Sequence, residues 1–281
     1  MSAVLQPEFQ SNGGTGRLGG ALDGGVPEDL AGLADGQGYF STGPWLSAEA
    51  ASVLVNSAQH RFGKAAAVRR PHLAREFSSW GFTDSRGVYT ADTRFFRHAV
   101  QRAQTTARID GWHQGKRTSL QLWVGRRWTA VVAGSSARAL LLGYESGAGG
   151  SMVQLDVAGA EDAASTMAAW AGLGPAWTAA APARKVPRPH FERRILDPRT
   201  PPPEGADAQL LRMWGEPWFV WVVTIGAGRF RRGFVNAGAA GHYLFGLNND
   251  GGVQLAPQSS SLVWHTLRDA VEDARFQDGP G

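Results

Sequence analysis

The chain has no cysteine, which excludes disulfides, thiolate metal sites and a cysteine nucleophile together. Long apolar runs are also missing. The most membrane-like stretch, WFVWVVTI from Trp218 to Ile225, is far shorter than the roughly 20 residues of a spanning helix. The opening MSAVLQPEFQSNGG lacks the basic start and continuous apolar stretch of a secretory signal, so a cytoplasmic protein with no membrane partner is expected. Catalytic motifs are equally scarce. GTGRLG, Gly14 to Gly19, has the glycine spacing of a dinucleotide loop, but no strand precedes it and no helix follows. Lys64 and Lys116 follow glycines without the earlier glycine of a phosphate loop, and no serine stands in Gly-x-Ser-x-Gly. His60, His72, His98, His113, His190, His242 and His265 show no i, i+3 or i+4 pairing, so no helical metal pair is encoded. The chain therefore reads as a binding protein and not an enzyme, with no catalytic residue, metal or cofactor expected.

Basic residues are nearly absent from the first forty positions, where ten glycines and five acidic residues surround the single Arg17. That composition predicts a disordered, glycine-rich acidic tail over 1–39. Its formal charge of −4, set against +4 for all 281 residues, leaves +8 on the remainder. The rest has ample apolar material for a core, with 11 Trp and 13 Phe in a chain that is 43% hydrophobic.

Helical spacing dominates from Trp45 to Ala107. PWLSAEAASVLVNSAQH offers Ser47 as an N-cap, PHLAREFSSWG stops at Gly81, and YTADTRFFRHAVQRAQ has Thr90 or Asp92 as its cap. The period then changes to that of strands: SLQLWV, RWTAVVA, ARALLLGY and MVQLDV are expected as four strands, followed by a helix over GAEDAASTMAAWAGLG. The stretch 175–205, dense in proline and basic residues, reads as a linker with at most a short helix from His190 to Leu196. Beyond DAQLLRMWG, another short helix, the pattern repeats as PWFVWVVTI, RFRRGFVNA, HYLFGLN, GVQLAP and a closing helix in QSSSLVWHTLRDAVEDA. Val-Gln-Leu falls in the fourth strand of both units, at Val153 to Leu155 and Val253 to Leu255. The expected fold is thus α+β: one domain over 40–281, made of two ββββα units near 118–173 and 216–275. The meanders join into one duplicated antiparallel sheet about a pseudo-twofold axis, with helices covering one face.

Both faces of WFVWVV are apolar, so both must be covered, one by the chain's own helices and the other by more of this chain or by a partner. The arginines of VGRRW and GRFRRGF lie at strand starts beside aromatics. They fit solvated edges that discourage sheet aggregation, or a nucleic-acid saddle.

The segment GRFRRGFVNAGAAGHYLFGLNNDGGVQLAPQSSSLVWHTL, Gly228 to Leu267, resembles the closing region of the EspG family, the ESX (type VII) secretion-associated chaperones of actinobacteria. The matching elements are Gly228 with Arg229, Arg231 and Arg232, then Asn236, Gly241-His242-Tyr243 and Ala256-Pro257. PWLSAEAASVLV and LAREFSSWGFTDSRGVY are similar to the family's opening segments, and the resemblance spans Phe40 to Ala274. Asn236 stands where the family has Asp and His242 where it has Arg, so a neutral hydrogen bond is expected in place of their ion pair. The resemblance implies an EspG-like fold and a cytosolic chaperone that binds the apolar tip of a PE–PPE-type helical heterodimer. It is expected to be a monomer or weak homodimer when free. It also implies contacts from the sheet, with Trp221, Phe230, Phe234 and Tyr243 beside Arg229, Arg231 and Arg232 as the candidates. The alternative is a nucleic-acid-binding module that uses a basic and aromatic sheet.

Overall fold

Ser47 starts the first helix as its position predicts: its Oγ accepts the Ala50 N–H at 3.1 Å and donates to Glu76 Oε2 at 2.8 Å. The computed structural model describes residues 39, 41, 43–56, 62, 64–143, 152–174, 182–248 and 251–277. The expected tail, apart from Tyr39, and Gly14 to Gly19 lie outside these residues. The first half comprises β1 (Trp45–Ser47), α1 (Ala48–Asn56), α2 (Lys64–Arg69), α3 (Pro71–Ser79), α4 (Ala91–Gln101), β2 (Thr105–His113), β3 (Lys116–Val124), β4 (Trp128–Ala133), α5 (Ala137–Leu141), β5 (Met152–Gly159) and α6 (Ala163–Trp170). The second half comprises β6 (Arg184–Pro187), α7 (Arg188–Leu196), α8 (Ala208–Gly215), β7 (Phe219–Ile225), β8 (Phe230–Asn236), β9 (His242–Leu247), β10 (Gly252–Gln258) and α9 (Ser260–Gln277). Among the described residues no helix is long and apolar enough to cross a membrane.

All the strands join one open antiparallel sheet of ten, in the order β1-β5-β4-β3-β2-β7-β8-β9-β10-β6. Each half contributes a four-strand meander running outward from the central pair, β2 and β7, and each meander ends on a short edge strand. The edge registers match: Leu46 opposes Val153 on one side and Val186 opposes Val253 on the other. At the centre Ile109 opposes Val223, and both are fully buried.

Three expectations are corrected. ARALLLGY is not a strand: Ser136 Oγ accepts the Ala139 N–H at 3.3 Å and caps α5 over Ala137–Leu141. The first strand of that unit is instead β2, so the unit begins well before 118. Within its described residues the linker is also structured, because Arg184–Pro187 pairs with β10 as an edge strand, the position where proline is tolerated. Finally, helices cover both faces. On one, α6 and α9 pack Met167, Trp170, Val263, Leu267 and Val271 over Ile109, Leu120, Leu122, Trp221 and Val223. On the other, α1, α3 and α4 cover Trp123, Ala130 and Leu155, while α7 and α8 cover Val220, Val235, Phe245 and Val253.

Each half of that second face also holds a buried arginine bonded to carbonyls near a helix end. Arg97 Nε donates to Leu54 O at 3.2 Å and its guanidinium lies 4.8 Å over the Tyr89 ring. Arg194 Nη2 donates to Trp214 O at 3.0 Å and Glu216 O at 2.8 Å, with its guanidinium 4.9 Å over Trp218. Carbonyls that a helix end leaves unpaired thus gain a cationic donor and the cation gains an aromatic face.

Candidate partner-binding surface

Of the aromatics expected at a partner surface, Trp221, Phe234 and Tyr243 are core residues, 1%, 3% and 3% exposed. Trp221 stacks on Phe234 with ring centroids 4.5 Å apart beneath α6 and α9. Tyr243 lies on the other face with α7 and α8, and its hydroxyl donates to Ala240 O at 3.0 Å. The apolar faces of β7 are therefore covered by this chain's own helices, and no partner is required there. Phe230 is half-buried against the α6 and α9 core, with the Arg232 guanidinium 5.4 Å over its ring. Arg229, Arg231 and Arg232 are exposed.

Asn236 and His242 oppose each other in register between β8 and β9, as expected, and both are buried. Their bonds reach the turn after α6: Asn236 Nδ2 donates to Gly172 O at 2.7 Å, and His242 Nε2 lies 3.1 Å from Gly174 O, the tautomer that donates. Ser260 Oγ donates to the same Gly174 oxygen at 2.7 Å. Asn236, His242 and Ser260 thus pin the second half to the turn after the first half's last helix, as a clasp between halves.

What remains uncovered is a strip of sheet between the two helical groups of the second face. The hydrogen-bonded register lays out its floor in rows. Gln121, Arg108, Thr224 and Arg231 face one another across β3, β2, β7 and β8. The next row is Ser119, Asp110 and Val222, bounded by Gly233 against the Phe245 ring, and the one after it is Arg117 and Trp112, whose neighbours Val220 and Val235 already lie beneath α7 and α8. Alternation decides the exposure: Arg108, Arg117 and Arg231 are exposed, while Ile109, Leu120 and Val223, one residue along, are sealed beneath the helices of the opposite face.

Asp110 organises this floor. Arg108 grips it with two hydrogen bonds of 2.9 Å, and Arg117 Nη2 adds a third of 2.9 Å. Burial pushes the Asp110 carboxyl up, but the hydrogen bonds and charges of the two arginines outweigh that and hold it below the usual carboxylate range. Arg117 also lies 5.9 Å over the Trp112 ring. Three arginines against one aspartate leave a surplus of two positive charges on the strip. At its far end, by the β2–β3 turn, Gly115 N–H donates to Ile195 O at 3.2 Å, and the neighbouring Leu196 is 56% exposed. The strip thus carries exposed arginines along its length, with an exposed leucine beside its β2–β3 end.

Of these residues only Arg231 was legible as a candidate. Arg108, Asp110 and Arg117 are separated along a hairpin, and their grouping depends on the β2–β3 register. The available signal was the alternation in TTARIDGWH, where every second residue is polar or bulky. No protein-family model matches the chain, and no curated protein matches its sequence.

Proposed function

We propose that this protein is a non-enzymatic chaperone of the EspG type, which holds a PE–PPE-type helical heterodimer by the apolar tip of its PPE subunit for ESX secretion in the cytoplasm. The resemblance over Gly228 to Leu267 supplies the partner class. The observation that carries the reading is the strip itself: among the described residues, a band of sheet between the helix groups of the second face exposes arginines and has Leu196 beside it. Leu196 is the exposed apolar contact beside the band.

The two halves are read as copies of one ancestral unit, longer than the repeat visible in the strand pattern. Three features support it: the edge strand, helices, meander and closing helix recur in the same order; the edge registers at Leu46 and Val186 agree; and Ile109 and Val223 face each other at the midpoint. A nucleic-acid module shares the same arginines in its favour, while the Asp110 carboxylate between two of them opposes a phosphate backbone.

The test is affinity purification of the full chain from its native cytosol. A stoichiometric complex with a two-chain helical partner is expected, and Leu196→Asp should weaken capture at least about thirtyfold, the effect of losing an anchor worth about 2 kcal/mol. Leu196 is exposed, so the variant keeps its melting temperature. Undiminished capture by Leu196→Asp, or recovery of nucleic acid in place of protein, would refute the reading.

A further inference from the structure

The arginine row asks for an occupant of opposite charge and definite spacing. Arg108 and Arg231 lie in one cross-strand row with β7 between them, so their backbones are about 10 Å apart. Residues seven apart on one face of an α-helix are also about 10 Å apart. Arg117 lies two rows further along, on the other side of Asp110. Asp110 already takes up part of the hydrogen-bonding capacity of Arg108 and Arg117, but each guanidinium has five N–H donors and their side chains remain 50% and 62% exposed.

We propose that the basic part of this strip docks an acidic α-helix of a protein partner, with carboxylates at i and i+7 on Arg231 and Arg108 and a further one on Arg117. The proposal rests on the protein-binding reading above and adds the chemistry of the occupant. A helix fits better than a polyphosphate strand for two reasons. The charges come as separated points with a fixed carboxylate between them, whereas a nucleic-acid backbone presents phosphates continuously. The strip's one floor aromatic, Trp112, is half-buried with Arg117 over its ring, which leaves no open platform for stacked bases.

The probes are a capped alanine-based helical peptide about 21 residues long with glutamates at the i and i+7 spacing, its lysine counterpart, and a thymidine oligonucleotide. Binding to the full chain is read by fluorescence anisotropy at low salt and at about 0.25 M salt. The glutamate peptide is expected to bind and to be weakened by salt, and Arg231→Glu and Arg117→Glu should each lower its affinity about tenfold or more. Gln254→Glu, exposed on the opposite face of β10, should leave it unchanged. Equal or tighter binding of the lysine peptide or the oligonucleotide overturns the proposal, as does indifference to the arginine substitutions. If the cellular partner is lost with Leu196→Asp but retained with both arginine variants, the chaperone reading stands and this inference falls. If the glutamate peptide depends on the arginines but no helical heterodimer is ever captured, the inference stands and the PE–PPE reading falls.

Discussion

Replacing Trp221 with alanine separates a core residue from a contact residue. The ring is 1% exposed, stacked on Phe234 and roofed by α6 and α9 at the middle of the sheet. An indole buries on the order of 200 Å², which at about 25 cal/mol per Å² gives roughly 5 kcal/mol for full burial. Alanine recovers a little of this and partial collapse of the cavity a little more, so a loss of about 4 kcal/mol is expected, within the usual range for aromatic-to-alanine core changes. Against the total stability of about 5–15 kcal/mol typical of a folded protein, that is a large fraction. Urea denaturation of the full chain, followed by far-ultraviolet circular dichroism and by tryptophan fluorescence, measures it. Trp221→Phe should restore most of the loss, because an aromatic ring can still stack on Phe234. A loss below about 1 kcal/mol for the alanine variant, below any core value, together with lost partner capture, would refute the burial argument and return Trp221 to the binding surface.

Gly233→Val should lower the melting temperature, by about 1–3 kcal/mol of overpacking, because a Cβ at that position would sit 2.4 Å from the Phe245 ring. Asn236→Ala should cost about 1–3 kcal/mol by chemical denaturation, because it leaves Gly172 O without the donor that clasps the halves. Asp110 has a folded-state carboxyl below its unfolded value, so its contribution is complete above about pH 4 and is lost as the pH falls through the lower folded value. The melting-temperature gap between the native chain and Asp110→Asn should therefore be constant from pH 5 to 8, taken as about neutral conditions for carboxylates, and narrow below. A gap that widens on acidification would contradict the sign of the shift.

Much of the fold could be read directly. The Ser47 cap, the Gly81 stop and the alternation in SLQLWV and PWFVWVVTI each correspond to an element the structure contains. The failures have physical causes. β2 was hidden because its buried face sets the one large apolar residue, Ile109, among Thr105, Ala107, Gly111 and His113, small or polar groups that blur the apolar alternation. Gly111 is small for a reason, since a Cβ there would meet the Phe219 ring at 2.5 Å. ARALLLGY misled because a short apolar run fits a strand or a helix equally, and only the preceding Ser136 cap decides. Proline density concealed β6, because an edge strand tolerates what a central strand does not. The aromatics of β7 were assigned outward because a strand apolar on both faces implies a second cover, and sequence alone does not say that α7 and α8 provide it. The Arg108, Asp110 and Arg117 cluster needed the hairpin register before it existed as a group.

The seam between β2 and β7 has a consequence for how the chain is made. It pairs Ile109 with Val223, so closing it brings together positions more than a hundred residues apart, an entropic cost of about 4 kcal/mol before any contact is gained. Short turns join most neighbouring strands within each meander, and those pairs form first. During synthesis at about 5–20 residues per second, β7 leaves the ribosome roughly 6–23 seconds after β2. Throughout that interval β2 is an open edge with a full row of unpaired backbone groups, which a neighbouring nascent chain can match as readily as its own second half. Slower translation past the proline-rich stretch between the halves would lengthen that exposure, and faster translation would shorten it.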